Sequence, residues 1–190
     1  MKTLSPWDTV LAAPGPCDHL VQLYTSEDAL ASTVVRFIRH GLADGEGVVA
    51  IATAGHWAKI TEGLTTAGIN VAAAQGNSQL VVCDAHDTLA RFMVDGMPDR
   101  AAMRTAVMSA LDSTRGAGHS KVRAFGEMVD ILNRRGNLAA AIRLEELWNE
   151  LLDQMPVEDG DRLSRTTRRN LDTRLADAVL ERAASHYRGV

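Results

Sequence analysis

Three carboxylates in this chain stand where they could do chemistry: Asp84, Glu127 and Glu145. Asp84 closes "LVVCD" (80–84), an apolar run ending in an acid, which is how a nucleotide hydrolase presents the Asp that holds magnesium. That chemistry also needs a phosphate cradle, G-x-x-x-x-G-K-[ST], and the chain contains none, so ATP hydrolysis is not expected. The other role open to Asp84 is to cap a helix beginning at Ala85 or His86.

Glu127 follows Phe125 and Gly126 in "VRAFGE" (122–127), where an apolar run gives way to helical spacing. It either sits at a helix N-terminus, stabilised by the dipole, or presents a charge to a ligand. Gly126 beside it suggests a close backbone approach or a φ closed to other residues. Glu145 falls inside an apolar helical arc made by Leu138, Ala141, Leu144, Leu147, Trp148, Leu151 and Leu152. A carboxylate there needs a partner, and Arg123 is the first candidate for a structural ion pair.

The elements that must position these groups alternate. Short apolar runs at 19–24, 47–53, 79–85 and 122–127 read as strands. Helical spacing follows each of them, over 26–42 with Ser26 as N-cap and Gly41 as stop, from His56 to Gly68, and through Leu89, Phe92 and Met93 to Asp95-Gly96. Pro98 opens a further helix that ends in "GAG", and two helices separated by "RRGN" follow the last strand. The expected fold class is α/β, a mostly parallel sheet with helices on both faces. Ligands bind such sheets beyond the carboxyl ends of the strands. The ligand-binding candidates there are Tyr24, Thr53, His56, Asp84, Gly126 and Glu127, together with His19.

Residues 1–17 read as a flexible leader, 18–153 as the domain, 154–163 as a linker and 164–190 as a helical tail with a narrow apolar stripe. The tail either packs on the domain or forms a homodimer as a C-terminal helix. The start has no long apolar run, so it does not read as a secretory signal, and no stretch approaches membrane-spanning length. A cytoplasmic location is expected. The net charge of −4 gives no global reason for nucleic-acid binding. The six His and two Cys show no metal-ligand spacing beyond Cys17-x-His19, and no catalytic residues, nucleophile motif or cofactor loop can be named.

Four segments carry a resemblance: "HLVQLYTSEDAL", "FIRHGLADGEGVVAIATAGH", "LVVCDAHDTLARFMVDGMPD" and "VRAFGEMVDILNRRGNLAAAIRLEELWNELL". Across about residues 18 to 152 the chain resembles the MEDS family, the sensory domain of DcmR-type regulators in methanogens and methylotrophs. The resemblance implies a RecA/KaiC-like domain that has lost its phosphate loop and works as a sensory input beside DNA-binding or histidine-kinase modules. It assigns no ligand residues; His19, Tyr24, Asp84, Asp95, Arg123, Glu127, Glu145 and Trp148 are its motif positions with polar or aromatic chemistry. One departure is that "DQMPVEDGDRL" stands where the family continues into a last apolar strand. The sheet is therefore expected to end one strand short, with an edge for the C-terminal helix or a partner to cover.

The function expected on these grounds is a non-catalytic signal-input domain that binds a small molecule or protein cue and regulates a partner in transcriptional or two-component signalling. The alternative is an interaction or scaffold module on a degenerate nucleotide-binding fold, with no ligand.

Overall fold

The computed structural model describes Leu11 and residues 26–155. Within them seven helices surround a small parallel sheet. Chain order is α1 (Glu27–Ala43), β1 (Gly47–Ala52), α2 (Ala54–Thr66), α3 (Val71–Gly76), β2 (Leu80–Asp84) and α4 (Ala85–Ala90). Then come β3 (Met93–Val94), β4 (Met97–Pro98), α5 (Arg100–Gly116), β5 (Val122–Gly126), α6 (Met128–Arg134) and α7 (Leu138–Asp153).

The sheet order is β2-β1-β5, with both pairings parallel. β1 lies in the middle and every one of its residues is buried, which is why it reads as an unbroken apolar run. Alternation along the strands divides their side chains between two cores. Val49, Ile51, Val81, Cys83 and Val122 pack against α4 to α7, while Val48, Ala50, Leu80, Val82 and Phe125 pack against α1, α2 and α3. Three of the four expected strands are present. The fourth, 19–24, lies outside the described residues, as do the linker beyond Met155 and the C-terminal helical tail.

The sequence-based bounds need correction at two places. Gly41 does not stop α1, which continues to Ala43 and ends on Asp44 and the left-handed Gly45. Gly41 is required for another reason: a Cβ there would lie 2.6 Å from Arg123 Cδ and 3.1 Å from Val48 Cγ2. The stretch after Leu89 is not a helix to Met93 either. α4 ends at Ala90, and β3 and β4 form an antiparallel hairpin turning on Asp95 and Gly96, both at positive φ. Asp-Gly is the dipeptide that such a two-residue turn favours. Pro98 belongs to this hairpin, and it is Asp99 that caps α5 by accepting from Ala102 N–H.

Candidate functional site

β1 and β5 end side by side, with Ile51 paired to Gly126, so the residues that follow them, Thr53 and Glu127, meet at one end of the sheet. Thr53 caps α2: its Oγ1 accepts from His56 N–H at 3.4 Å. That first turn points the His56 ring back toward the sheet, where it is 8% exposed. Glu127 continues the strand pairing by donating its backbone N–H to Ile51 O at 3.2 Å.

The Glu127 side chain does not cap its own helix α6. It crosses to the neighbouring strand-to-helix turn. Oε1 accepts the backbone N–H of Thr53 and Oε2 meets His56 Nδ1. Glu127 is 5% exposed, so this is a buried carboxylate with both oxygens engaged. Its charge sits at the N-terminus of the 13-residue α2, where the helix dipole favours it. Both expectations for Gly126 fail. A Cβ on Gly126 would meet only the terminal methyl of Met128 at 3.7 Å, and its φ is not left-handed, so neither close approach nor special backbone explains that glycine.

An ionised carboxylate only accepts hydrogen bonds, so the Nδ1 that faces Glu127 carries a proton. Nε2 is the ring nitrogen on the side away from Glu127. It lies 4.0 Å from Glu27 Oε1, in the first turn of α1. Lys59, one turn beyond His56 on the same face of α2, reaches Glu27 at 2.8 Å and Asp28 at 3.1 Å. The Lys59 hydrogen bond and charge, followed by His56 and Arg134, hold the Glu27 carboxyl below its usual range. Glu27 and Asp28 in turn push the Lys59 ammonium upward. A polar chain Glu127–His56–Glu27–Lys59 thus runs from the buried end of the sheet to its rim.

Asp84 lies at the same end, across β1 from Glu127, in register with Ala52. Its Oδ1 accepts from His86 N–H at 2.8 Å and Asp87 N–H at 3.0 Å, which is the capping role for α4. Nearby, His86 Nδ1 is 3.1 Å from Arg135 Nη2. His19 and Tyr24 lie outside the described residues.

The Arg123–Glu145 pair expected from sequence is corrected. Arg123 is buried near the opposite end of β5, and its Nε bonds Glu46. Its Nη1 donates to Phe37 O at 3.1 Å and to Leu11 O at 3.3 Å, and its guanidinium sits 5.1 Å from the Phe37 ring centre. Arg123 and Phe125 share the face covered by α1, whereas Glu145 is half-buried on α7, which packs on the other face. The sheet lies between them. Leu11, in the stretch expected to be a flexible leader, is buried.

Glu27, Lys59, His86 and Arg135 were not singled out by sequence. The i,i+3 spacing of His56 and Lys59, which puts both on one face of the helix, was a usable signal for Lys59. Among the described residues no group of three His, Cys, Asp or Glu side chains could hold a metal ion, and no helix is long and apolar enough to cross a membrane. An open groove of about 490 Å³, lined by Thr61, Thr65, Ile69, Asn70 and Val71, lies along the later turns of α2 and the start of α3, away from the strand ends.

A family model described as MEDS, the methanogen/methylotroph DcmR sensory domain, matches residues 18–158. No curated protein and no solved structure matches the chain.

Proposed function

The chain belongs to the MEDS sensory-domain family, and on that premise we propose that it is a non-catalytic signal-input domain that reads a cue at the strand-end site and regulates a signalling partner in the cytoplasm. The reading treats the domain as a RecA/KaiC-like sheet without its phosphate loop, retaining the habit of such sheets of binding at their carboxyl ends. One observation carries it. A buried carboxylate, Glu127, is spent on orienting a single imidazole, His56, at that end of the sheet. Burying a charge to fix one ring is a costly arrangement for packing alone and suits a ring that must present Nε2 in one orientation. Thr53 and Asp84 border the same end and are the further candidate contacts.

The test is thermal unfolding of the purified chain against a panel of metabolites, including nucleotides and one-carbon compounds, with the Glu127→Gln variant in parallel. A ligand at about a hundred times its dissociation constant adds roughly 2.7 kcal/mol of stability. Stabilisation of the parent that is lost in Glu127→Gln supports the reading; a stabilising ligand that Glu127→Gln binds equally well counts against the site.

A second reading is favoured by the same carboxylate. Both Glu127 oxygens are satisfied inside the protein, as expected if the fold survives only as an interaction or scaffold surface. A panel in which no compound stabilises the chain moves the assignment to that reading. Output through a partner, or through a homodimer formed by the C-terminal helix, is compatible with both.

A further inference from the structure

Arg123 lies near the amino end of β5 with a side chain only 4% exposed. Its charge is already answered: Nε bonds Glu46, and the Asp44 carboxylate stands 4.0 Å from Nη2. A further anion would meet both carboxylates and gain little there. What the buried N–H groups still require is neutral acceptors, because a guanidinium N–H buried without one is costly. Two backbone carbonyls serve Nη1, Phe37 O at 3.1 Å and Leu11 O at 3.3 Å. Nη2 has no hydrogen-bond acceptor among the described residues. Gly41 makes the room, since a Cβ there would lie 2.7 Å from Arg123 Nε. Leu11 itself is 5% exposed, so it brings an apolar side chain out of water as well as supplying an acceptor.

We propose that the amino end of β5 is a docking site for a peptide segment, that its occupant is the chain's own N-terminal segment, and that Leu11 is the anchor. The site takes an apolar side chain together with a backbone carbonyl aimed at Arg123, and it does not take an anion. Reach allows the occupant to come from the same chain. Leu11 stands fifteen positions before Ser26, and that many extended residues span up to about 50 Å. Phe37 and Gly41, which border Arg123, lie in the later turns of α1, a rise of about 17 to 23 Å from Ser26. The segment can therefore reach Arg123 from the start of its own α1. Glu127 and His56 lie at the other end of the sheet, so this docking does not rest on the cue-binding reading.

NMR of the arginine side chains in the intact chain reads the contact at the atoms concerned. In the parent, the Arg123 Nη protons should exchange slowly with water. Leu11→Ser, which removes the apolar anchor and adds no charge, should raise that exchange severalfold. Leu11→Met, which keeps an apolar side chain of similar volume, should retain most of the protection. The Thr53 amide, held by Glu127 at the far end of the sheet, reports on the rest of the fold and should exchange alike in all three proteins. Arg123 exchange in Leu11→Ser that equals the parent's overturns the docking, and so does a rise at Thr53 in step with Arg123, which would mark general loosening. Sedimentation decides whose segment is bound. A parent and Leu11→Ser that sediment alike, with different Arg123 exchange, support docking within one chain; a parent dimer that dissociates in Leu11→Ser puts a second copy's segment in the site and overturns the occupant proposed.

Discussion

Glu127 and His56, 71 positions apart in sequence, meet at the end of the sheet, with Oε2 of one against Nδ1 of the other. The other oxygen of the same carboxylate takes the Thr53 N–H. One side chain thereby joins the ends of two adjacent strands, and the chemistry and stability of this region depend on it together.

Glu127→Gln should destabilise the domain by about 1–3 kcal/mol, because an amide has one acceptor oxygen where two donors must be satisfied. That is a fall of several degrees in Tm for a chain of this length. Glu127→Ala should cost more, and added formate or acetate should recover part of the loss, since the N-terminus of α2 would then offer its donors to a free carboxylate. Thermal melts of the three proteins with and without formate measure both effects.

At the other end of β5, Arg123→Ala leaves Glu46 without its buried partner, and a loss of about 3–5 kcal/mol is expected. Gly41→Ala reaches the same pair indirectly: the new methyl group would strike Arg123 Cδ and Nε. Overpacking of this kind costs about 1–3 kcal/mol. Urea unfolding of each single variant and the double variant should show strongly non-additive losses, because both act on one contact.

The rim charges respond to pH with opposite signs. Lys59 holds the Glu27 carboxyl below its usual range, so whatever stability this gives is present above the ordinary carboxylate value and is lost as pH falls through the lowered one. The Lys59 ammonium is raised by Glu27 and Asp28, so its share is present below the ordinary ammonium value and is lost as pH rises through the raised one. In Lys59→Met the Glu27 carboxyl, followed by carbon-detected NMR titration, should move upward. About 1 M salt, with its Debye length of about 3 Å, should remove most of the difference between the two proteins.

Gly96 turns the β3–β4 hairpin at φ 80°. Gly96→Ala should cost about 1–2 kcal/mol, the left-handed penalty of an L side chain. Urea unfolding of the parent and of Gly96→Ala measures the loss.

Much of this was legible in the sequence. β1, β2 and β5 are short apolar runs, and the rule that parallel sheets gather polar groups at their carboxyl ends selected Thr53, His56, Asp84 and Glu127 before any geometry was known. Partner choice was not legible. Which carboxylate meets Arg123 depends on which helices cover which face, and Glu46 comes alongside it only once Gly47 is paired with Val122. For Glu127 a helix N-terminus and a charge presented to a ligand both stood open, because its reach to the β1–α2 turn depends on β1 and β5 being neighbours. The Asp95-Gly96 dipeptide was readable as a turn, while the helix-start signal at Pro98 came early, because the cap falls on Asp99 and the helix starts at Arg100. The short α3 was hidden behind Gly68 and is held by the Asn70 cap, which accepts from Ala73 N–H.

The buried Glu127–His56 pair is proposed to serve a cue-binding site. Thermal unfolding against the metabolite panel, run on the parent chain and on Glu127→Gln, tests it most directly. We expect at least one compound to raise the Tm of the parent by several degrees and to leave that of Glu127→Gln unchanged. A panel that moves neither protein, or a compound that stabilises both equally, would contradict it.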